Sequence, residues 1–129
     1  TTGQPADETV MQRAREVEIP ASLDYLETQV PEDAFIFGEP SIADISIASY
    51  FRTAQFVRYE IDAARWPRVA ALLDRTWALP AFRKLALSED CTLRVPLDSQ
   101  RDALRAEGAP LTATTMGTGP VRPVAARTT

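Results

Sequence analysis

The chain has 129 residues, 45% hydrophobic and 25% charged, proportions that suit one folded domain rather than a disordered chain. Eighteen Asp+Glu against fourteen Lys+Arg leave a formal charge of -4, without the concentrated basic surface that nucleic acid requires. One cysteine and no histidine argue against an internal disulfide, a metal site of the zinc type and every Ser-His or Cys-His nucleophile.

No apolar run reaches the ~18 residues of a membrane span, and the polar N-terminus is no signal peptide, so a cytoplasmic protein is expected. Residues 1–6 read as a loose leader. Over residues 7–30, Val10, Ala14, Val17 and Ala21 form one helical stripe, and Ile19, Leu23, Leu26 and Val30 form a second. Pro20 lies inside this pattern and lacks the N–H that would bond back to Glu16. The segment should therefore kink or split there. Eight acidic residues fall between Asp7 and Asp33 against only Arg13 and Arg15, which reads as a solvated outer face.

Residues 31–40 form a connector bounded by Pro31, Gly38 and Pro40. Its Phe35, Ile36 and Phe37 make a short apolar plug expected to fold back onto the core. From Ile42 to Val57 only Asp44 and Arg52 carry charge. A helix that is apolar nearly all round is expected to be surrounded by others, so a central buried helix is placed at about residues 41–57. Ser46, Ser49 and Thr53 mark a stripe of small residues along it, where a neighbouring helix can approach closely.

Pro67 suits the first turn of the next helix, and Val69, Leu72, Leu73 and Trp77 line one of its faces. Leu79-Pro80 restarts the pattern, which Phe82, Leu85 and Ala86 continue to about Glu89. Beyond Cys91, Asp98 or Ser99 can cap a short helix at about residues 99–107, ended by Gly108 and Pro110. From Leu111 onward there is almost nothing to bury, and a flexible tail is expected. With no alternating strand pattern and no internal repeat, the class is all-α. The organisation expected is a leader at 1–6, a helical domain at 7–90 and a C-terminal extension at 91–129.

Ser41-Ile42-Ala43-Asp44 opens the apolar helix. The Ser41 hydroxyl can accept from the Asp44 N–H while the Asp44 carboxylate accepts from the Ser41 N–H, a capping box with Asp in place of Glu. A buried helix start needs this more than an exposed one, since water cannot reach its orphan N–H groups.

The succession Leu26-Glu27, Phe35-Ile36-Phe37-Gly38, Ser41-Ile42-Ala43-Asp44, Trp66-Pro67 and Leu79-Pro80-Ala81-Phe82 resembles the C-terminal helical domain of the cytosolic glutathione transferase superfamily, over about residues 7–90. The resemblance implies a helical bundle in which Ser41 and Asp44 serve folding rather than chemistry. It also implies a parent protein that conjugates electrophiles to glutathione, or reduces them with it. Family members carry the thiol-activating residue and glutathione contacts on an upstream thioredoxin-like α/β domain. No βαβ pattern occurs in this sequence, and the family's first long helix has no counterpart before residue 7. The chain is expected to be a fragment of a larger protein, to bind no cofactor, and to be inactive alone. Its implied partners are the thioredoxin-like domain and a second copy in a homodimer. The alternative is a non-catalytic interaction module of the same family.

Catalytic candidates are correspondingly absent. Cys91 has no base nearby in sequence. Tyr25, Tyr50 and Tyr59 read as amphipathic packing residues, and Met11 and Arg15 as core and rim of the first helix. Arg52, the one cation of the central helix, is either an ion-pair partner or the holder of an anionic substrate. Residues 97–120 are a candidate lid over an active-site mouth, with a disordered terminus as the simpler alternative.

Overall fold

The computed structural model describes residues 7–112, which contain six α-helices, one π-helical turn and no strand. The helices are α1 (Glu8–Arg13), α2 (Ile19–Gln29), α3 (Ile42–Phe56), α4 (Pro67–Trp77), α5 (Pro80–Leu93) and α6 (Gln100–Ala106). The π turn spans Ala14–Glu18 and joins α1 to α2.

Asp7 starts the first helix, its Oδ1 accepting from the N–H groups of Thr9 at 3.0 Å and Val10 at 3.3 Å. The backbone then stays right-handed helical through Arg13, Glu18 and Ile19. Pro20 therefore does not split the segment. The ladder widens just ahead of it, and the Ile19 N–H reaches back five residues to the Ala14 carbonyl. One extra residue in that turn rotates the two apolar stripes apart by roughly 100°. Only the second stripe meets the core, through Leu23 and Val30 with Ile19 and Leu26 beside them. Val10 and Val17 stay 63% and 59% exposed, contrary to the packing stripe expected of them.

Residues Asp7–Arg83 form one compact unit. Its core joins Leu23 and Val30 of α2, Ala48 and Phe51 of α3, and Val69 and Leu72 of α4. α2 and α3 each pack on α4. Helix α4 is the most sharply two-faced: Val69, Leu72, Leu73 and Thr76 are buried, and the Thr76 hydroxyl donates to the Leu72 carbonyl at 2.8 Å.

Helix α3, expected to be central and surrounded, is instead buried along one face only, against α4, and it is α4 that meets both α2 and α3. Asp44, Ala48 and Phe51 are buried, whereas Ile42 is 77% and Tyr50 59% exposed. Apolarity all round signals a demand for neighbours. α4 meets that demand on one side alone.

The connector also departs from expectation in one residue. Phe35 and Ile36 pack against the core, but Phe37 is 76% exposed. The Gly38 N–H bonds to the Phe35 carbonyl at 2.9 Å, and Gly38 takes a φ of +84° to close this turn. The turn carries Phe37 outward.

Residues from Lys84 to Thr112 belong to a second unit. Helix α5 runs on past Glu89 and carries Cys91 within it. The Thr92 hydroxyl donates to the Ser88 carbonyl at 3.1 Å, Gln100 donates its side-chain amide to the Thr92 carbonyl, and Arg94 pairs with Asp90 at 2.7 Å. Leu104 is the buried residue of α6, and Gly108, at φ +75°, follows its end. Of the expected flexible tail and lid, residues 113 to 129 lie outside the described residues.

Candidate functional site

The mouth of α3 is organised around one buried carboxylate. Asp44 Oδ2 accepts from the Ser41 N–H at 2.8 Å and from the Ser41 hydroxyl at 2.5 Å. The reciprocal bond, from the Asp44 N–H to the Ser41 side chain, closes the capping box. Asp44 Oδ1 then accepts from the Ile36 N–H at 2.9 Å, tying the connector to the helix start. Asp44 has no exposed surface. Burial pushes its carboxyl up, but the Ile36 N–H, the Ser41 hydroxyl and the Ser41 N–H together hold it below the usual carboxylate range. This arrangement commits both carboxylate oxygens to holding backbone and cap in place.

A second clamp joins α2 to the start of α4. Glu27 Oε1 accepts from the Arg68 N–H at 2.9 Å, and Oε2 from the Val69 N–H at 3.0 Å. One turn earlier, Asp24 Oδ1 accepts from the Trp66 indole at 2.7 Å, and Asp24 Oδ2 pairs with Arg65 at 2.9 Å. The indole bond is the largest influence on the Asp24 carboxyl and lowers it against a smaller opposing effect of burial, with Arg65 adding to the lowering. Reading the acidic run 7–33 as a solvated face missed these two roles. Pro67 at the first helical position was the available signal, because the N–H groups after it need an acceptor.

The other singled-out residues are not gathered into one site. Arg52 donates to the Gln55 side-chain oxygen at 3.0 Å and lies 5.0 Å from the centre of the Phe56 ring. Arg15 donates to the Val57 carbonyl at 2.8 Å, placing its charge at the negative end of α3. Tyr25 and Tyr50 are exposed, Tyr59 is half-buried, and Cys91 is half-buried on α5. Met11 is 37% exposed.

Between α2 and α3 lies a groove of about 500 Å³. Ala14, Ile19, Ser22 and Leu26 form one wall, and Ser46, Ile47 and Tyr50 the other. Glu18 is its one charged lining residue. Along the outer side of α3, Ile42, Ile45, Ser46, Ser49, Tyr50, Thr53 and Val57 are all exposed and none is charged. Among the described residues no group of His, Cys, Asp and Glu could hold a metal ion, and no helix is long and apolar enough to cross a membrane.

Comparison with protein families matches residues 9–75 to the glutathione S-transferase C-terminal domain, from α1 through most of α4. The match contains both clamps and both walls of the groove. No curated protein and no solved structure matches the chain.

Proposed function

The chain belongs to the glutathione S-transferase C-terminal domain family, and from that premise we propose that it is the helical, second-substrate side of a glutathione transferase-like enzyme. In this reading a thioredoxin-like domain binds glutathione and activates its thiol. The helical domain supplies apolar surface for the electrophile. The enzyme joins the two substrates, or reduces the electrophile at glutathione's expense, in the cytoplasm. The observation that carries the reading is the groove between α2 and α3, whose walls are aliphatic, aromatic and hydroxyl-bearing with a single carboxylate. Such a lining suits an uncharged aromatic or aliphatic electrophile and does not suit the charged glutathione tripeptide.

Calorimetric titration of the purified chain tests this directly. The expected result is no heat from glutathione, no turnover of 1-chloro-2,4-dinitrobenzene, and saturable binding of that same apolar compound. Ser22→Arg and Ser46→Arg should abolish the binding while helical circular dichroism is kept. Glutathione binding at millimolar concentration or tighter, or apolar binding indifferent to both substitutions, overturns the proposal.

A second reading, a non-catalytic module that docks onto another protein or onto its own copy, is favoured by one feature. The exposed side of α3 carries no charge over four turns, where an exposed helix ordinarily carries several.

A further inference from the structure

A second cavity, of about 240 Å³, opens between the C-terminal half of α3, the loop after it and α4. We propose that it is a binding site for a small organic cation, an aromatic ring bearing an ammonium group. Three aromatic side chains, Phe51, Tyr59 and Trp77, contribute to its walls, and Glu60 and Asp74 are the charged residues that line it. No Lys or Arg lines it.

The electrostatics point one way. Ring faces attract cations through their quadrupoles. No described residue makes a hydrogen bond or ion pair with the Glu60 or Asp74 carboxylate, so their oxygens are open to a ligand. Two arginines of the neighbouring segments are turned to other partners. Arg52 donates to Gln55 and stacks on Phe56, and Arg65 pairs with Asp24 over the Trp66 ring. An anion would meet two carboxylates in the lining and no lining Lys or Arg to offset them. The volume lies below the roughly 300–1,000 Å³ of drug-sized pockets, which restricts the ligand to about one ring and a short chain.

The test compares three probes of closely similar size on the full chain: 2-phenylethylammonium, 2-phenylethanol and phenylacetate. Binding is followed by calorimetry and by the NMR signal of the Trp77 indole N–H. The cation should saturate the protein below about 10 mM, with the alcohol and the carboxylate at least about tenfold weaker. The isosteric pair Glu60→Gln and Asp74→Asn together should bring the cation down to the level of the alcohol without moving the melting temperature. Ala70→Leu, which adds volume at the cavity wall, should weaken all three probes. Equal or tighter binding of the carboxylate, no saturation by the cation, or indifference to the carboxylate substitutions overturns the site. The glutathione and apolar-electrophile titrations use a different groove, so the two readings fail separately.

Discussion

Glu27 closes the N-terminus of α4 with both carboxylate oxygens, the nearer 2.9 Å from the Arg68 N–H and the other 3.0 Å from the Val69 N–H. This is a helix cap supplied from another helix, 41 and 42 residues away in sequence. The local residue before α4, Trp66, has no side-chain acceptor to offer and instead donates its indole to Asp24. Two successive turns of α2 thereby hold the start of α4 at a fixed angle. Glu27→Ala removes an acceptor for two orphan N–H groups and should cost about 0.5–2 kcal/mol. Chemical denaturation should show a lowered midpoint with unchanged slope. A midpoint within error of the parent would mean water replaces the carboxylate at no cost.

The box at α3 should respond unequally to its two members. Ser41→Ala leaves Asp44 with the Ile36 and Ser41 N–H groups, and should cost about 0.5–2 kcal/mol. Asp44→Asn keeps the shape but turns one oxygen into a donor facing donors, in a side chain with no exposed surface. Leaving buried N–H groups unpaired costs about 1–3 kcal/mol, so Asp44→Asn should be the more damaging change. Equilibrium unfolding of both variants decides the order.

Stability should fall in acid through the same carboxylates. Asp44 and Asp24 are held below their ordinary range in the folded chain, so the unfolded chain binds protons at higher pH than the folded one. Their contribution is fully present above the ordinary Asp value of about 3.9. It is lost as pH drops from there through the lowered folded values. Thermal melts from pH 6 down to pH 2 should be flat at first and then decline steeply, and Asp44→Asn should make the decline shallower. A variant with the parent's acid slope would refute Asp44 as its source.

The uncharged outer side of α3 leads to a prediction about assembly. Ile42, Ile45 and Tyr50 lie on that side, 77%, 40% and 59% exposed, and proteins usually cover such surface. Sedimentation velocity on the chain should therefore show dimers or larger species growing with concentration. Ile45→Lys together with Tyr50→Lys should return it to a monomer, since a charge in that contact would be desolvated without a partner. A monomer at high concentration in the unsubstituted chain counts against both self-association and docking by this face.

Much of this fold is legible from local physics along the chain. Helical periodicity, proline at the first position of α4 and α5, and Ser-x-x-Asp ahead of an apolar run are all decided within a few residues, and the all-α class and the family follow from them. The tertiary structure decided what each face meets. Pro20 is absorbed by a widened turn rather than a break, because the helix could rotate its register and bury only the later stripe. Phe37 points away although Phe35 and Ile36 pack inward, because Asp44 takes the Ile36 N–H and a glycine turn follows at once. Asp24 and Glu27 sit in an acidic run indistinguishable from a solvated face until α4 comes to rest against α2. Long-range caps and one-sided burial depend on which helices become neighbours, and hydropathy along the chain records only the demand for a neighbour.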